Sequence, residues 1–127
     1  MDYNNIMAVL FEMIPEVKEE YNKRKQEDLV DEDTGKHMVF GLVIVPYILG
    51  EVNSDGENIG KIFDFLEEMS LCDDVKVREL LDFTILEQFI DEGKEQLNKL
   101  KKFMHENTLS CCAEIEKYFI DRRVWLE

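Results

Sequence analysis

Residues 37–52, HMVFGLVIVPYILGEV, form the one stretch rich enough in Val and Ile to suggest a β-strand. No second run of that kind exists to pair with it, and a lone strand leaves its backbone N–H and C=O groups without partners. This removes sheet-based folds from consideration and recasts the stretch itself. Its apolar spacing and length suit a buried helix, kinked or interrupted at Pro46, and residues 38–49 are read that way.

The remainder of the chain carries helical periodicity. Ile6, Val9, Leu10, Met13, Ile14 and Val17 recur at helical spacing across residues 2–27, with Asp2 placed to cap. Pro15 interrupts this segment and sits at a tolerated first-turn position of a restarted helix. Residues 28–36 read as a polar loop and NSDGEN as a turn. Ile59, Ile62, Phe63, Leu66 and Met69 make one stripe. Asp73 and Asp74 stand at an N-cap before a second stripe of Val77, Leu80, Leu81, Thr84, Ile85 and Phe89. Gly93 marks a stop. Leu97, Leu100, Phe103 and Met104 then define a short helix, and Asn107 or Thr108 starts the last one, with Leu109, Cys112, Ile115 and Phe119 inward. The expected fold is all-α, a single domain over residues 1–127. Antiparallel helical hairpins, 58–70 with 73–91 and 94–105 with 108–121, would build a HEAT-like array or an irregular bundle. Phe63, Leu66, Leu81, Ile85, Phe89, Leu100, Ile115 and Phe119 are its expected core.

Hydrophobic residues make up 45% of the 127, enough to fill one core despite the charge. The longest unbroken apolar run, Leu42 to Pro46, is far too short to span a bilayer, and the N-terminus has no signal-peptide pattern. Three cysteines, Cys72, Cys111 and Cys112, give neither a disulfide framework nor a Cys-x-x-Cys half-site. A reduced cytoplasmic setting is expected, with Cys111 or Cys112 filling core space.

Charge is the most informative property. The net charge is −14, and residues 28–92 hold seventeen Asp/Glu against four Lys/Arg, a net of −13. Such a field repels nucleic acid and anionic membrane and steers basic partners. Acids of the 58–92 hairpin dominate it, and Glu67, Glu68, Asp73, Asp74, Glu79 and Asp82 cluster around one hairpin and its turn. They are the expected partner-binding residues. The ordinary alternative, a solvated helical face, leaves unexplained why Lys61, Lys76 and Arg78 are the only cations in that hairpin.

Catalytic and metal patterns fail on spacing. Asp33-Thr34-Gly35 is an aspartic-protease tripeptide, but it lacks strands around it and a second catalytic Asp. Counted from Asp31 as a calcium loop, glycine falls at the fifth place and Leu42 at the twelfth, where glutamate belongs. His37 and His105, the only histidines, are too few for a transition-metal triad; His37 is expected to border a helix and His105 to lie near a helix C-terminus. No catalytic residue, metal or cofactor is expected, and the protein is not expected to be an enzyme.

Three segments, MVFGLVIVPYIL, IFDFLEEMS and VRELLDFTILEQF, resemble a small all-helical bacterial family, some members of which sit beside toxin genes as candidate immunity proteins. Phe40-Gly41, Pro46-Tyr47 and the acidic pair Glu67-Glu68 match its pattern, whereas Leu42 departs from the polar residue expected there. The resemblance covers about residues 7–120. It implies an immunity protein of contact-dependent inhibition or related toxin systems, which blocks a cognate basic nuclease domain without catalysis. Tyr3, Phe40, Tyr47, Tyr118 and Trp125 are available aromatics, with Phe40 and Tyr47 assigned to the core. A generic helical protein-interaction adaptor is the alternative.

Overall fold

The computed structural model describes the backbone of residues 1–126 and the side-chain environments of residues 1–119. Among them there are helices and no strands. α1 (Ile6–Met13) and α2 (Pro15–Gln26) are separated at Ile14, and Pro15 opens α2, where its missing N–H costs nothing. Asp2 does not cap α1 directly. Its carboxylate accepts the N–H groups of Asn4 and Asn5, both at 2.9 Å, and so shapes the turn that precedes the helix.

The Val/Ile-rich stretch is helical. α3 runs without a break through Lys36–Val39, a π-helical turn at Phe40–Ile44, and Val45–Asn53. The wide turn lies just before Pro46, where the Val45 N–H reaches back to the Phe40 carbonyl. A local π adjustment is a common way for a helix to continue past a residue that cannot donate. Val43, Ile44 and Val45 are all buried, three in succession, because a wide turn rotates less per residue.

α4 (Ile59–Ser70) buries its whole predicted stripe. α5 comprises Val75–Leu80, a second π turn at Leu81–Leu86, and Glu87–Asp91. That turn carries Leu86, which a regular 3.6-residue period puts on the polar side, into the core beside Thr84 and Ile85. The two π turns pack against each other, with Gly41 of α3 against Thr84 and Gln88 of α5. Gly93, at φ +104°, ends α5 and precedes α6 (Lys94–Lys101).

α7 (Glu106–Leu126) begins one residue before the expected start and packs chiefly against α4 and α5. Its link to α6 includes the Lys101–Glu116 ion pair at 2.5 Å. α6 packs mainly on the end of α5. The inward face of α7 also differs from expectation at its start: Thr108 is fully buried and Leu109 is exposed, while Cys112 and Ile115 are inward as read. Phe119 is only partly buried. The remaining seven expected core residues are all buried.

Two acids of the charged segment do local conformational work. α2 and α3 each end on a left-handed aspartate, Asp28 at φ +60° and Asp55 at φ +56°. The N–H groups of Leu29 and Gly56 then reach back to the carbonyls of Arg24 and Glu51, closing a Schellman-type cap in each case.

Candidate functional site

The six acids singled out from the sequence divide into two kinds. Glu67 and Asp74 are engaged inside the fold. Glu67, on α4, accepts the N–H and Oγ1–H of Thr108 through Oε1, both at 2.8 Å. Its Oε2 accepts from the N–H of Asn107 at 3.2 Å and from Asn107 Nδ2 at 2.8 Å. A carboxylate on one helix thereby satisfies donors in the first turn of another, where negative charge is favoured. Burial pushes the Glu67 carboxyl up, but these hydrogen bonds outweigh it and hold it below its ordinary value.

Asp74 is the N-cap of α5, as its sequence position suggested. Its Oδ1 accepts the Lys76 N–H at 3.0 Å, and its Oδ2 accepts the Tyr3 N–H at 2.8 Å, which ties the N-terminus to the α4–α5 connection. The Tyr3 and Lys76 N–H groups hold its carboxyl below the ordinary range. Tyr3 is partly buried, with Lys36 Nζ 4.5 Å from the centre of its ring.

Glu68, Asp73 and Glu79 are exposed and make no salt bridge among the described residues. Asp82 is different again. It is half-buried on α5, and its Oδ1 is inaccessible to solvent and without a hydrogen-bond partner. Desolvation pushes its carboxyl up, against the pull of Arg78. Asp82 and Glu79 line a cleft of about 430 Å³ together with Val75, Arg78, Phe83 and, from α7, Cys111. Phe83 and Val75 stand 54% and 53% exposed, unusual for large apolar side chains on a highly charged helix. Sequence reading marked the acids of this cleft but not its apolar walls. Phe83 interrupts the polar side of α5, and that break in the pattern was the available signal.

The other features resolve into structure. In the Asp-Thr-Gly loop, the Asp31 carboxylate accepts the Asp33 N–H at 2.8 Å and the Thr34 hydroxyl at 3.2 Å, and the Asp31 N–H donates to Thr34 Oγ1 at 2.9 Å. The triplet is a side-chain-stabilised turn, and Lys25 fastens it to α2 through Glu32 at 2.8 Å. His37 lies in the first turn of α3, with Nδ1 2.5 Å from Thr84 Oγ1. His105 is not at a helix C-terminus. It immediately precedes α7, and its Nε2 is 2.8 Å from Asp64 Oδ1. Cys112 is fully buried, and desolvation raises its thiol pKa to about 11, so it is an inert core residue.

Among the aromatics, Phe40 is fully buried, and Tyr47 is partly buried with its hydroxyl accepting from Asn58 Nδ2 at 3.0 Å. Tyr118 is exposed, and Trp125 lies outside the described side chains.

Fold and site together define a small all-α protein whose acidic excess lies between residues 28 and 92, with seven of those seventeen acids on α4 and α5. Over residues 7–119 the chain matches DUF7674, a domain of unknown function, and it belongs to that family. Neither a curated protein nor a solved structure matches it. No helix among the described residues is long and apolar enough to cross a membrane.

Proposed function

We propose that this protein is a cytoplasmic immunity protein that binds and neutralises a basic toxin domain, a nuclease in the first instance, through the acidic face of α4 and α5. It acts by occlusion, without catalysis, cofactor or direct contact with nucleic acid. The observation that carries this reading is the net −13 over residues 28–92 together with how little of it is neutralised within the fold. Among the described residues of that segment, Glu32 alone pairs with a Lys or Arg, and Asp64 contacts His105. Unpaired like charges repel each other and cost stability, and a cationic surface relieves that cost on binding.

Glu68, Asp73, Glu79 and Asp82 are the contact residues on this reading, because Glu67 and Asp74 are committed to internal donors. A nuclease surface that grips phosphate presents Lys and Arg, so the same acids both accelerate encounter and cover the catalytic cleft. The resemblance to candidate immunity proteins supports the same assignment. The exposed Phe83 and Val75 also suit a helical adaptor that binds a non-toxic protein. The test is growth of cells expressing a candidate basic nuclease toxin domain, with and without the chain. Restored growth is expected, and unrelieved toxicity in the presence of folded protein contradicts the proposal.

A further inference from the structure

We infer that the outward face of α3 pairs with the same face of a second copy of this chain, making a two-fold dimer. The inference is independent of the acidic-face reading, because none of the acids assigned to the toxin lies on α3.

Residues 37–50 form the longest stretch of the chain without Asp, Glu, Lys or Arg, in a protein where 35% of residues carry charge. A surface helix ordinarily turns charged or polar side chains to water. α3 does not. Met38, Leu42, Pro46 and Gly50, every fourth residue, are exposed, Met38 at 60% and Leu42 at 37%. Leu49 is partly exposed beside them. At the usual helical rise the row is uncharged over about 18 Å.

Gly50 is a second, separate observation. Glycine is, after proline, the residue least favoured within a helix. Nothing lies within 4 Å of where a Cβ at Gly50 would sit, so packing inside this fold does not call for it. At Gly41, by contrast, a Cβ would meet Gln88 Nε2 at 2.5 Å. A bare backbone on an exposed apolar row suits the close approach of another helix.

Charge selects the occupant. A basic segment gains nothing from a row without acids, and an anionic surface is repelled by a chain of −14. The occupant is therefore itself uncharged and apolar, and a second α3 is such a surface. An antiparallel pair about a two-fold axis level with Ile44 places Leu42 of one copy against Pro46 of the other. It also sets Met38, the largest side chain of the row, over Gly50, where there is room. Each contact is made twice, as in any isologous interface. The row is smaller than the roughly 800 Å² per partner of a standard interface, and two chains of −14 repel at long range, so the dimer is weak.

The experiment is sedimentation equilibrium of the full chain, loaded between about 10 μM and about 1 mM at low and high sodium chloride, a range that brackets a weak interface. The mean mass should climb above the 15.1 kDa of one chain toward twice that value, and more steeply at high salt, where repulsion is screened. Met38→Lys should weaken association about tenfold or more although it lowers the net negative charge, because pairing would desolvate an ammonium group. Gly50→Ala should raise the melting temperature of the dilute chain, since alanine favours a helix, yet weaken the dimer by filling the gap under Met38. Both sites are exposed, so the circular dichroism of each variant should match the native chain.

A mass of 15.1 kDa at every loading overturns the pairing. Association untouched by Met38→Lys places the contact on another face and overturns it as well. A Gly50→Ala dimer as tight as the native one overturns the antiparallel register. Association that weakens as salt rises marks a contact between acids of one copy and lysines of the other, and contradicts an uncharged interface. None of these results bears on the toxin complex, whose affinity is expected to fall with salt.

Discussion

The Glu67 carboxylate accepts the backbone N–H of Thr108 at 2.8 Å across 41 residues of sequence, so the most conspicuous acidic pair of the chain is half structural. Glu68 beside it is exposed and without an ion pair among the described residues. A single step along α4, about 100° around its axis, thus separates a residue that fastens α4 to α7 from one available to a partner.

This fastening is pH-dependent with a defined sign. The folded-state pKa values of Glu67 and Asp74 lie below their ordinary values of 4.5 and 3.8. Their contribution is present in full above those ordinary values and is lost as pH falls through the depressed folded-state values. Urea unfolding at pH 7 and pH 3 should show a loss in acid, and Glu67→Gln should cost roughly 1.5–3 kcal/mol at pH 7, the range for hydrogen bonds to a charged group. The variant should also show a shallower acid loss. A variant as stable and as acid-sensitive as the native chain would place the α4–α7 join elsewhere.

Phe89 is fully buried at the junction of α5 with α6 and α7. Phe89→Ala should destabilise by about 3–5 kcal/mol, the usual cost of a large-to-small change in a packed interior. Chemical denaturation measures it directly, and a loss below about 1 kcal/mol is incompatible with the packing seen here.

The Asp31–Gly35 loop should be silent in chemistry. Asp33 contributes its N–H to the turn but its side chain makes no hydrogen bond or ion pair among the described residues, so Asp33→Asn should leave stability unchanged. Calorimetry should detect no micromolar calcium binding, and a site lost in Asp33→Asn would reverse this conclusion.

What could be read from the sequence was local. The stripes on α4 and α5, the restart at Pro15, the cap at Asp74 and the stop at Gly93 each depend on residues within a few positions of one another. The argument from an unpartnered strand also held, because backbone satisfaction is a rule about the whole chain that composition can test. Features that depend on tertiary partners stayed hidden. The role of Glu67 requires Thr108 to arrive from a distant helix, and the start of α7 turns Thr108 inward where apolarity favoured Leu109. The two π turns shift the helical period within α3 and α5, so a fixed 3.6-residue pattern leaves Leu86 out of the α5 stripe. The orphaned oxygen of Asp82 is invisible in sequence, since an acid on a helix looks the same whether or not its neighbours leave it a donor.

The central claim, that the acidic face of α4 and α5 captures a basic toxin domain, is tested most directly by affinity at two salt concentrations. The variants are Glu68→Lys with Glu79→Lys, and as control Glu95→Lys with Glu114→Lys, all four sites being exposed. Glu116 is unsuitable as a control because it is ion-paired with Lys101 at 2.5 Å. On this account, the complex of the native chain with its basic toxin domain should weaken as salt rises. Reversal on α4 and α5 should weaken it about tenfold or more at low salt and flatten the salt dependence, with the control pair close to native. Equal effects of the two double reversals, or an affinity indifferent to salt, would contradict the claim.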